Sequence, residues 1–262
     1  MLKILATRVE QGCRTLPFPS ALATLPERFR GRPTLDHSKC PDGCQACADA
    51  CPVQALQAGG AMQLDLGRCL FCRDCLDACP EGAIAYTRDY RLASTKRQDL
   101  VLQGDEVPRV HALDQKMRKL FGRSLKLREV CAGSCNGCEM ELQALNNVVF
   151  DLGRFGVQFV ASPRHADGLI VTGPVTENMR VALLNTYEAI PSPKLVIAVG
   201  ACAISGGPFR DSAQVRNGVE GLLPVDLYLP GCPPHPLTLL DGLLRLLGRI
   251  EDQTAVNYPR SD

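Results

Sequence analysis

The chain has 262 residues, enough for two domains or one large one, and 45% of them are hydrophobic, ample for a core. Its 29 Lys and Arg stand against 28 Asp and Glu, so no global charge pulls it toward nucleic acid or anionic lipid, and with no Trp and 5% aromatics it lacks a stacking surface for single strands. The outlying number is 14 cysteines, grouped at two- and three-residue spacings that suit a shared metal better than bridges between distant segments.

No apolar run approaches the roughly 18 residues of a membrane-spanning helix. The opening Met1-Leu-Lys-Ile-Leu-Ala-Thr-Arg8 meets charge too early for a secretory signal. The expectation is a chain in a reducing cytoplasm, with any membrane association made through partners. Residues 1–39 read as irregular: Leu2, Ile4 and Leu5 suit a short amphipathic helix, and Pro17, Pro19 and Pro26 then break regular structure. Cys13 stands apart from every group and reads as an isolated thiol behaving as a small apolar residue.

Residues 40–80 carry a repeat. Cys40-x3-Cys44-x2-Cys47-x3-Cys51-Pro52 is followed by Cys69-x2-Cys72-x2-Cys75-x3-Cys79-Pro80. This is the spacing of the bacterial two-cluster ferredoxin run, in which the fourth cysteine of each run ligates the other cluster. A tight loop presents three thiolates to one cubane, and the short helix after it carries the fourth to the neighbour. One [4Fe–4S] cluster is therefore expected on Cys40, Cys44, Cys47 and Cys79, and a second on Cys69, Cys72, Cys75 and Cys51. Zinc also uses C-x2-C pairs, but two complete runs that each end in Cys-Pro weigh against it. The first run opens with x3, a wider turn through Pro41-Asp42-Gly43.

With Phe29-Arg-Gly-Arg-Pro-Thr-Leu-Asp36 leading into it, the double run resembles the eight-iron ferredoxin subunit of respiratory complex I and of related membrane-bound hydrogenases. The resemblance implies an α+β ferredoxin-like, two-cluster domain, which with its N-terminal extension covers residues 1–87.

Residues 88–128 hold eleven Lys or Arg against five Asp or Glu and no cysteine. Leu113, Met117, Leu120 and Phe121 recur at helical spacing, with Lys116, Arg118 and Lys119 outward. A basic linker over 88–123 is expected, a solvated face that also suits docking on an acidic partner. From residue 124 to 262 strands and helices alternate. Strands are expected at 125–130, 157–160, Gly168–Thr172, Leu195–Val199 and 225–229; helices at 139–151, Glu177–Ala189 after a Thr176 N-cap, and 236–250, opened by Pro236. The runs at 169–171 and 195–199 are continuously apolar, as in strands covered on both faces. This reads as a flavodoxin-like, doubly wound parallel α/β domain.

On that sheet the remaining cysteines fall at carboxyl ends of strands, where open α/β sheets build their sites. Cys135 and Cys138 follow the first strand, Cys202 the fourth in Gly200-Ala-Cys202, and Cys232 the fifth in Pro230-Gly-Cys232-Pro-Pro234. Four thiolates from three loops suit a third [4Fe–4S] cluster, with glycines at 133, 137, 200, 206, 207 and 231 letting backbone approach sulfur. Cys131 repeats the x3-x2 spacing of the first run and competes for a place; the three-loop set is preferred and Cys131 is expected to pack at the strand end. Glu139 and Glu141 open a helix, where acids favour the dipole; a sharper reading has Glu139 coupling protons to electron transfer. Arg164 and His165 are expected near the same edge, and none of His37, His111 and His235 is assigned as a ligand.

This half resembles the small subunit of energy-converting, membrane-bound [NiFe] hydrogenases of the formate hydrogenlyase type, and its relative in complex I. The matching motifs are Gly133-Ser-Cys135-Asn-Gly-Cys138-Glu139, Ser162-Pro-Arg-His-Ala-Asp167, Thr172-Gly-Pro-Val-Thr176, Gly200-Ala-Cys202 and Pro230-Gly-Cys232-Pro-Pro234. In the complex I version the first ligands are adjacent cysteines; the Asn-Gly spacer here follows the hydrogenase branch. The resemblance implies an electron wire of three [4Fe–4S] clusters without a catalytic centre of its own. Its implied partners are a hydrogenase-like large subunit, membrane-arm subunits and a soluble electron donor or acceptor, which would place the chain in the cytoplasm, peripheral on the inner face of the membrane through partner subunits. An equivalent component of a quinone oxidoreductase or of a complex lacking nickel is the alternative, and an iron–sulfur sensor or assembly protein is a third. No P-loop lysine, GxGxxG after a strand or H-E-x-x-H occurs, so nucleotide or flavin binding has no support.

Overall fold

The computed structural model describes residues 2–21, 23–58, 62–104, 108 and 110–250. Its N-terminal half contains short elements between cysteine loops: α1 (Leu2–Gln11), β1 (Pro33–Leu35), α2 (Ala46–Asp49), β2 (Leu56–Gln57), β3 (Gln63–Asp65), α3 (Asp74–Asp77), β4 (Ile84–Tyr86) and β5 (Val101–Leu102). β1 pairs antiparallel with β4, and β2, β3 and β5 form an antiparallel sheet. The sequence repeat is also a backbone repeat. Cys51 and Cys79 each precede a proline, and each sulfur accepts an N–H four residues on, from Ala55 at 3.2 Å and Ala83 at 3.3 Å. Between them the chain takes a left-handed residue, Gln54 (φ 51°) in one copy and Gly82 (φ 60°) in the other. α1 forms where Leu2, Ile4 and Leu5 predict it, but none of its residues is buried.

The stretch expected as a linker is stitched into both halves. β5 belongs to the first half's sheet. Ser94 exchanges two backbone hydrogen bonds with Tyr228, at 3.1 and 2.8 Å, covering the edge of the second half's sheet. Helix α4 (Gln115–Phe121) is capped by the Asp114 carboxylate, which accepts the Met117 N–H at 2.9 Å. Phe121 packs inward, whereas Leu120 is 52% exposed, so the apolar face is narrower than its spacing predicts.

The second half runs β6 (Leu125–Cys131), α5 (Gly137–Ala144), β7 (Val157–Phe159), β8 (Gly168–Thr172), α6 (Glu177–Ala189), β9 (Leu195–Val199), α7 (Gly200–Ser205), β10 (Leu227–Leu229) and α8 (Pro236–Leu246). The five strands are parallel in the order β10-β9-β8-β6-β7, the doubly wound flavodoxin-like arrangement. Every residue of β8 and β9 is buried. The order reverses between β6 and β8, which opens a crevice at their carboxyl ends.

Two helices are shorter than the sequence predicts. α5 stops at Ala144 because the Asn147 side chain accepts the Val149 and Phe150 N–H groups at 2.8 and 3.1 Å, offering the backbone a turn in place of a further helical bond. α8 stops at Leu246 because Gly248 (φ 66°) closes it: its N–H reaches the Arg245 carbonyl and the Arg249 N–H reaches Leu244, both at 2.9 Å, a Schellman pattern.

One apolar core runs through both halves, joining Leu56, Leu64 and Leu100 to Val130, Val171, Ala198 and Ile204. Polar ties flank it. The Ser205 hydroxyl donates to the Gly67 carbonyl at 2.9 Å, and Arg97 holds Asp65 through two bonds of 2.8 and 2.6 Å while its Nε lies 3.9 Å from Glu220. Buried Asp89 takes a two-pronged bond from Arg91, both arms 2.8 Å. A Cβ on Gly67 would meet Ile204 Cγ2 at 2.8 Å and the Arg97 guanidinium carbon at 2.9 Å, whereas one on Gly82 would meet nothing within 4 Å. Gly82→Ala should therefore cost about 1 kcal/mol, the left-handed backbone alone. Gly67 is not left-handed, and its alanine variant would instead meet overpacking of about 1–3 kcal/mol at the junction. Thermal unfolding of the two variants should show Gly67→Ala as the less stable; equal midpoints would contradict this packing.

Candidate metal centres

The fourteen cysteines are all free, and twelve of them gather into three sets. In the first, burial and then the neighbouring Cys44 and Cys79 push the Cys40 thiol up, and Cys47 rises through burial, Cys79 and Cys40. In the second, burial pushes both Cys69 and Cys75 up to about 12, with Cys51 and Cys72 adding like charge to each. Thus Cys79 acts electrostatically on the first run and Cys51 on the second, the proximity that an exchange of fourth cysteines would need. Backbone N–H groups already point at sulfur: Phe71 donates to Cys69 at 3.3 Å, beside the bonds to Cys51 and Cys79.

The third set sits at the carboxyl edge of the parallel sheet. Cys135 and Cys138 follow β6, Cys202 lies in the first turn of α7 after β9, and Cys232 follows β10. Burial drives Cys138 strongly up and Cys202 to about 11, with Cys232 and Cys135 among the further causes for both. Cys232 is also raised, by burial, then Cys135, then Cys72 of the second set. Two glycines allow the close approach. A Cβ on Gly200 would fall 2.5 Å from the Cys138 sulfur, and one on Gly207 2.8 Å from the Cys202 sulfur.

Cys131 ends β6 but does not pack there as expected: it is exposed, and its sulfur lies 3.4 Å from the Ser134 hydroxyl of the same loop. The Ser134 hydroxyl donates in turn to Glu139, which also accepts from Thr172 at the end of β8. Glu139 is 5% exposed, and its second carboxylate oxygen is buried without a partner. Burial alone would raise this carboxyl, but the hydrogen bonds from Ser134 and Thr172 outweigh it and hold it below the ordinary value. It therefore spans the crevice between β6 and β8, a role that its place at a helix start does not reveal. Burial raises Glu141.

Arg164 and His165 lie on the turn that enters β8, where Asp167 is bonded to Lys126 near the start of β6. That is the opposite edge of the sheet from the cysteines, because a turn feeding a parallel strand must return to its amino end. His235 caps α8 through Nδ1, accepting the Leu237 N–H at 3.1 Å, and His37 Nδ1 accepts the Met62 N–H at 3.3 Å. His111 is exposed.

Residues 135–246 match the family described as NADH ubiquinone oxidoreductase, 20 Kd subunit, and residues 39–83 match the 4Fe-4S dicluster domain. Formate hydrogenlyase subunit 7 of Escherichia coli (strain K12) is 41% identical over 150 residues, which are 57% of this chain and 59% of that one. The probable membrane-bound hydrogenase subunit mbhJ of Pyrococcus furiosus is 44% identical over 132 residues, 50% of this chain and 79% of that one. The chain belongs to the 20 kDa subunit family. A further member, an NADH-quinone oxidoreductase subunit of Heliobacterium modesticaldum, is 47% identical over 120 residues, 45% of this chain and 69% of that one. In this chain the family's domain is fused behind a 4Fe-4S dicluster domain, and the formate hydrogenlyase protein is matched over 59% of its length.

The donors suit iron–sulfur cubanes. Each set offers only thiols, and burial with neighbouring sulfur raises Cys69, Cys75, Cys138 and Cys202, so iron held there would supply the positive charge that a thiolate ligand needs. Among the described residues no three His, Cys, Asp or Glu stand close enough for one bare metal ion. A cubane asks for something else, because each of its thiolates binds a different iron.

Two outcomes follow from this arrangement. Cys13 is exposed, and bonds from the Thr15 backbone and Arg8 lower its pKa, so at pH 8 it carries more thiolate than an ordinary cysteine. Brief iodoacetamide treatment of the cluster-loaded chain should modify Cys13 and then Cys131, read by peptide mass spectrometry. Labelling of Cys135 or Cys232 with Cys131 protected would contradict the third set. Gly200→Ala should remove about a third of the iron, the share of one cubane in three, while the N-terminal clusters survive; unchanged iron would contradict the cradle at Cys138.

Proposed function

We propose that the chain is a three-cluster electron relay serving the catalytic large subunit of a membrane-associated [NiFe] hydrogenase complex of the formate hydrogenlyase type. Bound to the three thiol sets, [4Fe–4S] cubanes supply reversible one-electron steps. The observation that carries the reading is the contiguity of the sets. Cys47 is among the charges acting on Cys75, and Cys72 is among those acting on Cys232. The order is thus Cys40, Cys44, Cys47 and Cys79; then Cys51, Cys69, Cys72 and Cys75; then Cys135, Cys138, Cys202 and Cys232.

The two ends differ in what they offer. The last set keeps Cys135 and Cys232 exposed beside Met140, which is 56% exposed, a face suited to a large-subunit partner. The first set, with Cys40, Cys44 and Cys79 half-buried, is the end for a soluble donor or acceptor. No described helix is long and apolar enough to cross a membrane, so membrane association would come through partner subunits. The Asn136-Gly137 spacer and the likeness to formate hydrogenlyase subunit 7 and mbhJ support hydrogenase. The 47% identity to the Heliobacterium NADH-quinone oxidoreductase protein supports a second reading, the same relay in a quinone-reducing complex.

A complex purified anaerobically through a tag on this chain separates them. The first reading expects nickel in a co-purifying large subunit and hydrogen evolution from a reduced viologen. Cys135→Ser should abolish that evolution while the two N-terminal clusters remain reducible. Quinone reduction without nickel would favour the second reading, and a chain that purifies alone would contradict both.

A further inference from the structure

The two cysteine runs use the same backbone trick with different residues. The position before the second cysteine is left-handed in each: Gly43 (φ 75°) before Cys44, and Phe71 (φ 53°) before Cys72. Glycine takes this conformation freely, whereas an aromatic residue resists it and persists there only when its surroundings impose it. A Cβ on Gly43 would face open space, and Phe71 is 8% exposed. The second run therefore keeps a strained residue where the first keeps a glycine, and the side chain must be the reason.

Phe71 lines a cleft of about 280 Å³ between the two halves. Also lining it are Pro230, Gly231, Cys232, Pro233 and Pro234 of the third set's loop, with Arg28 and Arg30. Cys232 lines this cleft, but none of Cys51, Cys69, Cys72 and Cys75 does. Three features fix Phe71 in place. Its N–H donates to the Cys69 sulfur at 3.3 Å, Arg30 donates to the adjacent Cys72 carbonyl at 2.7 Å, and its ring packs 6.4 Å from the buried Tyr86 ring.

We propose that Phe71 is a positioning residue that seals the second thiol set from the water of this cleft and thereby holds the reduction potential of a cluster there low. Reduction adds negative charge, which water stabilises better than a hydrocarbon wall does, so wetting a cluster raises its potential. The proposal rests on the relay reading, because it needs a cluster on Cys51, Cys69, Cys72 and Cys75.

The test is a redox titration of the full-length, cluster-loaded chain followed by electron paramagnetic resonance, with deuteron couplings recorded in D2O. Phe71→Gly keeps the left-handed backbone and removes the ring; Phe71→Leu keeps an apolar plug. Phe71→Gly should shift the second cluster's midpoint upward and add deuteron couplings at it, leaving the first cluster unmoved as an internal control. Phe71→Leu should stay near the wild type. A loaded Phe71→Gly chain with unchanged midpoint and couplings would overturn the seal, as would equal shifts in both variants. Loss of the second cluster from both would also overturn it, since the ring would then serve assembly. A wild-type chain with no cluster on the second set would instead sink the relay reading itself.

Discussion

Burying a thiol next to other thiols is unfavourable for its ionised form, and this chain does it repeatedly. Cys69, Cys75, Cys138 and Cys202 all lie where desolvation and neighbouring sulfur hold the proton on. Metal in place of the protons would relieve that cost, and much of the surrounding structure suits it. The N–H groups of Ala55, Phe71 and Ala83 aim at sulfur, Gly200 and Gly207 clear space for it, and parallel strands deliver Cys135, Cys138, Cys202 and Cys232 to one edge.

The second constraint is that the sets must stay in register with one another. A flexible linker would let the dicluster domain wander relative to the sheet, and electron transfer falls off steeply with such separation. Here the junction is a core. Gly67 fits against Ile204 with no room for a methyl group, Ser205 bonds across to it, and Ser94 extends the sheet beyond β10. The residues at the junction lie within a few positions of the thiol sets on both sides: Gly67 is two from Cys69, and Ser205 is three from Cys202. The fusion turns what could be a contact between separate chains into one folded body.

The cysteine-rich loops were legible because their signals are local. Two Cys-x2-Cys runs ending in Cys-Pro need no tertiary knowledge, and alternating apolar strands put later cysteines at strand ends. What escaped was set by partners distant in sequence or by single side chains. Asn147 ends α5 with an amide turn that periodicity cannot register. Leu120 has the spacing of a core residue but faces outward. The basic character of 88–123 concealed Val101–Leu102 pairing with β3 and Ser94 pairing with Tyr228. Glu139 is tied to Thr172, 33 residues away, and Arg164 and His165 fall at the opposite edge because strand direction places their turn there.

The central claim is that three thiol sets hold three cubanes in one chain. The direct measurement is Mössbauer spectroscopy of the anaerobically isolated, iron-57-labelled chain alongside its total iron and sulfide. The account predicts about twelve irons and a matching amount of sulfide, all in [4Fe–4S] environments. About eight irons, or zinc in place of iron, would contradict it.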